Sequence, residues 1–423
     1  MSFFHSILYK LYRQINPINK EYIKIKENPI ESANKYLNSL LSYTVRNIEF
    51  YKNFPPELNR FSILTKQIIK ENFNKLHLLE LPRDAYFNTS GGSTGEPVKI
   101  IQDSVYDKYI GYTIKYFHEE FLHLPRKFIK KVYLWGSERD ILNWFGDWKK
   151  KIKGYITGIK YFNAFYITPE KLENIVKYLN KHKPSYIRGY ASTLYEVARY
   201  IRSKGIKINF RPIVIISSAE TLQQFMRKEI EDIFQCKVYD FYGSRESGAI
   251  AGECPYGNFH FFIFNQWVEL LPYHKNIKKI LVTTLHNFTM PLIRYDIGDL
   301  CEVSSSDRCP CGNPLPFVKR IVGRITDNFL KRDGTVVHGE YFTHLFYFKK
   351  IDKFQVIQED YDKITINIFS KNNISEKLID EIIKNIKKVM GKYVKININF
   401  LRTATLTPQG KFIYTYSKVY RKL

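Results

Sequence analysis

The sequence predicts an α/β protein with a large layered body, followed by a smaller α+β domain. In residues 131–244, apolar segments of strand length alternate with segments of helical periodicity, as in helices layered on a sheet. After residue 354 the predicted order changes to two strands, a helix and a strand. Arg332-Asp333-Gly334 is a turn signal between these patterns. We therefore expect a body over residues 1–323 and a smaller C-terminal domain over residues 324–423.

Each predicted element of the body has its own sequence signal. Continuous apolar runs predict strands of a sheet that is covered on both faces. The predicted strands are Lys131–Ser137, Tyr186–Ala191, Pro212–Ser218 and Val238–Phe241. Residues 103–121 have helical spacing, and hydroxyl side chains are expected to cap or begin further helices. These hydroxyl residues are Thr65, Thr168, Ser192 and Thr221.

Helices dominate the first 80 residues in this prediction. The first is a short amphipathic helix near Phe3–Tyr12, which either packs on the body or touches a membrane surface. In the C-terminal domain, Ser375 is the expected cap of a helix that ends at Gly391. The expected elements there are strands at 354–358 and 364–369, the helix at about 375–390 and a half-exposed strand at 394–400.

Composition limits the class of protein. The 423 residues are 44% hydrophobic and 16% aromatic, which is enough for more than one packed domain. No apolar run reaches about 18 residues, the length that spans a membrane. The N-terminus lacks a signal-peptide pattern, and five cysteines make no disulfide framework. We expect a cytoplasmic protein, with peripheral contact at the inner face of the membrane left open.

The net charge of +25 favours a solvated, lysine-rich surface. Contact with anionic glycans or lipids stays open. Nucleic acid is not the expected partner, because no zinc-finger or RNP-type signature accompanies the charge. The oligomeric state does not follow from the residues.

A glycine- and hydroxyl-rich stretch precedes the apolar pair Ile100-Ile101. Glycines allow close backbone approach to a ligand, and successive N–H groups with hydroxyls form an anion-binding nest. This chemistry suits a polyphosphate, and a flexible surface loop is the alternative. The candidate phosphate-binding residues are Ser90, Gly91, Gly92, Ser93, Thr94, Gly95 and Lys99.

Polar residues also follow two predicted strands, where ligands of α/β sheets bind. Ser218, Ala219 and Glu220 end the third strand, with helix capping by Ser218 as the alternative. After the fourth strand, an aromatic ring suited to purine stacking precedes a carboxylate suited to Mg²⁺, although an ordinary turn has the same composition. The residues of this second segment are Tyr242, Gly243, Ser244 and Glu246.

Three further polar residues lie in turn-like segments near the C-terminal half. Asp299 has a carboxylate that can accept both hydroxyls of a ribose, or can belong to a charged hairpin. Arg324 follows Gly323 at the expected domain boundary. Lys411 follows a Pro-x-Gly turn, where surface exposure is the usual explanation.

Taken in order, these segments resemble the motifs of the adenylate-forming enzymes, and in particular the phenylacetate–CoA ligase-like branch with its capsular-polysaccharide relatives. The resemblance implies an adenylate-forming synthetase fold. It implies that Ser218-Ala219-Glu220 edges the adenine pocket. It also implies that Tyr242 flanks adenine, Ser244 positions phosphate or carboxylate, and Glu246 binds Mg²⁺.

By the same resemblance, Asp299 binds ribose, Arg324 reaches ribose or phosphate, and Lys411 is catalytic. Lys411 would bridge the substrate carboxylate and the α-phosphate as charge moves between them. One position departs from the family pattern, because Thr326 stands where the hinge aspartate is usual and Asp327 follows it. This departure leaves the pivot residue undetermined.

Two turn-like knuckles supply four soft metal ligands. They contain Cys254 and His260 in one segment and Cys309 and Cys311 in the other. A Cys₃His set suits tetrahedral zinc with no open position, so this zinc would be structural. Unpaired thiols are the alternative, Cys301 is a substitute ligand, and Cys236 is expected in a core strand. Similar knuckles occur in the phenylacetate–CoA ligase-like branch.

The resemblance implies a ligase that uses ATP and Mg²⁺ to convert a carboxylate to an acyl-adenylate with release of pyrophosphate. The acyl acceptor stays open between the coenzyme A thiol, an amine and a sugar. Basicity and the N-terminal helix favour surface-polysaccharide assembly over an aryl- or acyl-CoA ligase. The alternatives are a nucleotidyltransferase similar to coenzyme F390 synthetase, and a basic nucleic-acid-binding protein with a zinc module.

Overall fold

The computed structural model describes two compact units. The described residues are 19–89, 98–125, 129–135, 154, 156–164, 168–324, 329–332, 336–337, 341–342, 345–346, 351, 353–369, 374–402 and 414–419. The first unit extends to Ile321, except for the segment Gln223–Lys228. The second unit contains that segment and the chain from Val322 onward. The predicted boundary at residues 323 and 324 stays a prediction.

The largest sheet in the described part of the chain has eight strands. These strands are β3 (Lys131–Trp135), β4 (Ile159–Asn163), β5 (Tyr186–Tyr190), β6 (Val214–Ser218), β7 (Val238–Ser244), β8 (Gly248–Glu253), β9 (Phe259–Phe261) and β13 (Phe317–Val318). Their order in the sheet is β13-β9-β8-β7-β6-β5-β3-β4. The five strands from β4 to β7 pair in parallel, and the other pairs are antiparallel.

Helices alternate with the parallel strands of this sheet, which confirms the predicted α/β class. The helices of this unit are α1 (Lys20–Glu27), α2 (Pro29–Asn47), α3 (Lys66–Glu71), α4 (Ser104–Tyr116), α5 (Pro169–His182) and α6 (Ala191–Ser203). A further helix, α7 (Gln224–Phe234), includes residues of the segment Gln223–Lys228. A π-helical turn, Phe117–Phe121, extends α4, and short 3₁₀ turns occur at Glu49–Tyr51, Leu58–Arg60 and Phe73–Lys75. Strand β6 is buried at every position, as expected for a strand covered on both faces.

Two of the predicted helix caps are confirmed. Thr65 Oγ1 accepts a hydrogen bond from the backbone N–H of Ile68 at 3.3 Å, and α3 begins at the next residue. Thr168 Oγ1 accepts from the N–H of Lys171 at 3.3 Å, with Pro169 as the first residue of α5. Both side chains satisfy amide donors that lack a partner within the helix.

Two other predicted helix starts are wrong. Helix α6 begins at Ala191, so Ser192 lies inside its first turn. The Ser192 N–H instead donates to Glu220 Oε2 at 2.9 Å, and a carboxylate distant in sequence therefore does the capping. Helix α7 begins at Gln224, three residues after Thr221, because the chain leaves β6 through an irregular segment first.

A second sheet of the first unit was not predicted. Its four strands lie in the order β10 (Gln266–His274), β11 (Ile277–Thr284), β12 (Tyr295–Glu302) and β14 (Arg320–Arg324), and the pairs β10–β11 and β11–β12 are antiparallel. A separate two-stranded hairpin pairs β1 (Tyr86–Thr89) with β2 (Lys99–Gln102). These two sheets carry several of the polar residues singled out above.

The second unit contains the predicted β–β–α–β order. Its elements are β15 (Phe329–Leu330), β16 (Val336–Val337), β17 (Phe354–Asp360), β18 (Lys363–Ile368), α8 (Glu376–Met390), β19 (Lys395–Phe400) and β20 (Thr415–Ser417). Ser375 Oγ accepts from the N–H of Leu378 at 3.4 Å, and Gly391 follows the last residue of α8. Ile382, Ile386 and Met390 are its buried residues, so its amphipathic stripe faces a core.

Each unit has its own hydrophobic core of buried side chains. Within the described residues, no helix combines the length and apolar character needed to span a bilayer. The predicted helix near Phe3–Tyr12 lies outside the described residues.

Candidate functional site

Three candidate residues lie where β7 turns into β8. Tyr242 and Ser244 are in the last part of β7, and Glu246 is in the turn and buried. Ser244 Oγ accepts the N–H of Ser247 at 3.0 Å, which fixes the turn. At Gly243, a Cβ would lie 2.3 Å from the carbonyl oxygen of Gly248. The position therefore requires glycine, because the two strands approach too closely for a side chain.

Strand β12 brings a second carboxylate to this turn. The Tyr242 hydroxyl donates a 2.6 Å hydrogen bond to Oδ2 of the buried Asp299. The Tyr295 hydroxyl donates to Glu246 Oε1 at 3.4 Å. Each hydrogen bond joins a tyrosine to a carboxylate, and the paired residues are 57 and 49 positions apart in the sequence. The arrangement joins an aromatic ring and two buried carboxylates, which offer acceptors for hydroxyl groups and oxygen ligands for a hard cation.

The β1–β2 hairpin is attached to the same turn. Gln102 Nε2 donates to the carbonyl oxygens of Arg245, at 2.9 Å, and Glu246, at 3.3 Å. Lys99 is exposed and pairs with Thr89 at the loop end of the hairpin. The predicted phosphate-binding residues between the two strands, Ser90, Gly91, Gly92, Ser93, Thr94 and Gly95, lie outside the described residues. The segments that flank this loop are therefore held beside Glu246.

The end of β6 is a hydrogen-bonded turn next to β7. Ser218 is buried, donates to the carbonyl oxygen of Phe241 at 3.1 Å and accepts from Arg188 Nη2 at 3.2 Å. Ser218 is therefore a strand residue and does not cap a helix. Ala219 has a φ of +69°, a left-handed conformation that is uncommon for a residue with a Cβ. Glu220 caps α6, as described above.

The structure does not describe the side chains of two further predicted site residues. Arg324 is the last residue of β14, and its side chain lies outside what the structure describes. Lys411 also lies outside the described residues. Their assigned roles stay predictions.

Sequence reasoning missed two residues that organise the site and gave no role to a third. Gln102 anchors the hairpin, and Tyr295 contacts Glu246. Arg294, with a φ of +51°, donates to both Glu269 oxygens at 3.1 and 3.2 Å and to the carbonyl oxygen of Phe61 at 2.8 Å. Gln102 had one usable signal, since a buried polar side chain at the end of an apolar strand needs a partner.

The four predicted metal ligands converge. One ligand atom from each of Cys254, His260, Cys309 and Cys311 lies within 4.8 Å of all the others. The two sulfurs of Cys254 and Cys309 are 3.7 Å apart, and Cys311 Sγ is 3.2 Å from His260 Nε2. Two thiolates bound to one tetrahedral zinc at about 2.3 Å lie about 3.8 Å apart, so the donor set fits zinc.

The surroundings of His260 also suit a metal ligand. Its Nδ1–H donates to the carbonyl oxygen of Leu315 at 2.9 Å, which leaves Nε2 as the free lone pair facing the sulfurs. Burial lowers the pKa of His260 to about 4, so the ring is neutral at pH 7. Cys301 is buried in β12, outside this group. Cys236 is buried as expected, but it precedes β7 in a turn and is not in a strand.

Comparison with known proteins identifies two kinds of relative. The CapK C-terminal domain family matches residues 329–418. The protein named CapK from Staphylococcus aureus is 29% identical over 414 residues, which cover 90% of this chain and 87% of that protein.

Solved structures of ligases share the fold. A crystal structure of 2-hydroxyisobutyryl-CoA ligase in the postadenylation state superposes with a TM-score of 0.68 at 15% identity, covering 92% of this chain and 89% of that chain. Anthranilate CoA ligase AuaEII, in complex with anthranoyl-AMP, has a TM-score of 0.52 at 16% identity, with coverage of 77% and 65%. ATP-bound MatB from Rhodopseudomonas palustris has a TM-score of 0.53 at 13% identity, with coverage of 77% and 66%.

These matches confirm the resemblance that the motifs indicate. The sequence match links the chain to CapK, and the structural matches establish the fold. The chain is therefore similar to CapK over nine-tenths of its length and has the fold of the acyl-adenylate-forming ligases.

Proposed function

We propose that this protein is an ATP-dependent adenylate-forming ligase. One observation carries the proposal: the buried carboxylates of Asp299 and Glu246, from separate motifs, meet at one turn through Tyr242 and Tyr295. Asp299 would accept the ribose hydroxyls, Tyr242 would stack on adenine, and Glu246 would hold Mg²⁺. Ligases in complex with acyl-AMP share the fold, which supports the assignment.

The proposed first half-reaction joins a carboxylate to AMP. A carboxylate oxygen attacks the α-phosphorus of ATP, the bond to the β-phosphate oxygen breaks, and pyrophosphate leaves with the electron pair. Ser244 would orient the phosphate or the carboxylate, and the loop from Ser90 to Gly95 would bind the leaving phosphates. Mg²⁺ would offset the phosphate charge. The role of Lys411, stabilisation of charge on the carboxylate and α-phosphate, rests on its motif alone.

In the second half-reaction a nucleophile attacks the acyl carbon and displaces AMP. We propose a sugar or amine acceptor in surface-polysaccharide assembly, because the motifs resemble that branch and the match to CapK covers nine-tenths of the chain. An acyl-CoA ligase is the second candidate, since a structure of the matched 2-hydroxyisobutyryl-CoA ligase contains CoA.

We also propose that zinc binds Cys254, His260, Cys309 and Cys311 in a structural role. Four protein ligands leave no open coordination position, so the metal takes no part in the chemistry. The site would join the β8–β9 connection and β9 to the segment that precedes β13, and β8, β9 and β13 are strands of the large sheet.

Trapping with hydroxylamine tests this function. The protein is incubated with ATP, Mg²⁺ and a panel of carboxylates, and hydroxylamine intercepts any acyl-adenylate. The proposal expects an acyl-hydroxamate and an equal amount of AMP with at least one acid, and loss of both products in Asp299→Asn. A product that keeps AMP covalently attached would support a nucleotidyltransferase instead. The absence of ATP binding would overturn the proposal.

A further inference from the structure

A row of basic and aromatic side chains lies on one face of the parallel strands. In β3, Val132 and Leu134 are buried, whereas the alternate residues are only half-buried, unlike the fully buried strand that the sequence predicts. Residues paired in register on parallel strands share a face. Register places the following residues on this face, which we call the aromatic-basic face: Lys131, Tyr133, Trp135, Tyr161, Tyr186, Arg188 and Tyr190.

Arg188 is the central group of the aromatic-basic face. Its guanidinium carbon lies 4.6 Å from the ring centroid of Phe241 and 5.6 Å from that of Trp135. Nη2 donates to Ser218 Oγ, but Nε is buried and meets no hydrogen-bond acceptor within the described residues. The guanidinium therefore keeps donor capacity next to two aromatic walls.

One further cation, Lys131, and a neutral histidine, His118, lie on or beside this face. Lys131 Nζ lies 5.5 Å from the ring centroid of Tyr186, and burial lowers its pKa. The Tyr186 hydroxyl is 3.3 Å from His118 Nε2. Burial, followed by the charges of Lys131 and Arg188, holds the pKa of His118 well below its usual range. His118 is thus neutral at pH 7, and the two nearby cations add to the lowering of its pKa.

No carboxylate of the described ranges forms an ion pair with Lys131 or Arg188. Partly desolvated cations without a counter-ion are costly, and a bound anion offsets that cost. A planar guanidinium matches a carboxylate with two parallel hydrogen bonds. The aromatic-basic face therefore has the chemistry of an anion subsite.

This subsite adjoins the proposed adenylation centre, because Ser218, the hydrogen-bond partner of Arg188, belongs to the segment assigned to the edge of the adenine pocket. Its contacts, Ser218 and Phe241, pair in register on β6 and β7. Ser244 lies three residues further along β7, which corresponds to about 10 Å of strand. Side chains three residues apart on a strand face opposite sides of the sheet, so an anion held by Arg188 beside Phe241 is a second group of the substrate and not the carboxylate that Ser244 would orient.

We propose that the acid activated by this enzyme carries a second carboxylate, and that Arg188 binds it between Trp135 and Phe241. This inference rests on the proposed ligase function and adds a substrate class, the dicarboxylic acids. Arg188 is thus a specificity-determining residue.

Pairs of acids test the proposal. ATP–pyrophosphate exchange is measured with α,ω-dicarboxylates from adipate to sebacate and with monocarboxylates of the same chain length. The wild-type protein should prefer the matching diacid in kcat/KM by about 10- to 100-fold, the usual effect of a charge-assisted hydrogen bond. Arg188→Gln should abolish this preference, and Arg188→Lys should keep part of it because the charge remains.

Arg199→Gln is the matched control, because it removes the same charge from α6, where Arg199 pairs with Glu196 at 3.6 Å. The control should keep the diacid preference. Equal kcat/KM for the two acid classes in the wild-type protein, or a proportional loss for both classes in Arg188→Gln, would overturn the subsite.

A second readout separates this inference from the proposed function. Thermal shift with sebacate in the absence of ATP measures binding without turnover. Stabilisation of the wild-type protein, but not of Arg188→Gln, would support the subsite even if no acid supported exchange, in which case the ligase function alone would fail. Exchange with monocarboxylates but no sebacate-dependent shift would support the ligase function and overturn the subsite.

Discussion

The Tyr242 hydroxyl donates a 2.6 Å hydrogen bond to Asp299 Oδ2, across 57 residues of sequence. This bond joins β7 of the large sheet to β12 of the antiparallel sheet. Asp299 is buried, so its carboxylate needs donors to offset desolvation. The proposed adenine and ribose contacts therefore depend on one another.

Tyr242→Phe should weaken ATP binding and lower the free energy of unfolding. Removing a donor from a buried carboxylate costs about 1–3 kcal/mol. Isothermal titration with ATP and urea unfolding measure the two effects. Tyr239→Phe, on the same strand, is the matched control and should change neither quantity by more than about 0.5 kcal/mol. An unchanged ATP affinity in Tyr242→Phe would contradict the assigned ribose site.

Substitution by alanine should lower the free energy of unfolding by different amounts at Gly243 and Gly298. At Gly243, the added Cβ meets the Gly248 carbonyl oxygen at 2.3 Å, so the β7–β8 turn must shift. Gly298 has a φ of +81° but no atom within 4 Å of the added Cβ, so Gly298→Ala should cost only about 1–2 kcal/mol of backbone strain. Urea unfolding should show the larger loss for Gly243→Ala, and the reverse order would argue against this turn geometry.

Purified protein should contain about one zinc ion per chain, as four protein ligands form one closed site. Cys309→Ser should lose the metal and unfold at a lower temperature, because zinc binding is coupled to folding. Cys301→Ser, a buried cysteine outside the cluster, is the control and should keep the zinc. Elemental analysis and a thermal scan check both variants. Full zinc in Cys309→Ser would show that the ligand set is wrong.

Acid should destabilise the protein through His286. Burial lowers the pKa of this histidine to about 4, against partial opposition from the hydrogen bond between its Nε2 and the Phe264 carbonyl oxygen, 2.8 Å away. The unfolded chain therefore binds more protons between pH 6.5 and about 4. The contribution of His286 to the free energy of unfolding is constant above that window, and about 3 kcal/mol of it is lost as the pH falls through the window.

His286→Gln should reduce this pH dependence, measured as the urea midpoint from pH 7 to pH 4, but not abolish it, because burial also lowers the pKa values of His260 and His118. His274→Gln, at an exposed position, is the control and should keep the wild-type slope. A wild-type slope in His286→Gln would assign the acid sensitivity to other groups.

The sequence predicted elements whose signals are local. Thr65, Thr168 and Ser375 were recognised as caps because each bonds to an amide three residues away. The Ser192 prediction failed because Glu220, far along the chain, supplies the oxygen instead. Local patterns do not contain such contacts.

The candidate site shows the same division. The motifs containing Tyr242, Glu246 and Asp299 were recognisable as segments, but their meeting through Tyr242 and Tyr295 depends on the pairing of distant strands. The antiparallel sheet that positions Asp299 was missed. Arg188 gave no motif, because its setting comes from β3, β6 and β7 together.

ATP–pyrophosphate exchange tests the central claim most directly. Radiolabelled pyrophosphate is incubated with the protein, ATP, Mg²⁺ and a panel of acids that includes aryl acids, amino acids, uronic acids and dicarboxylates. The account predicts label in ATP with at least one acid, and a loss of at least about 100-fold in both Glu246→Gln and Lys411→Ala. Exchange that persists in both variants, or a wild-type protein that does not bind ATP, would contradict it.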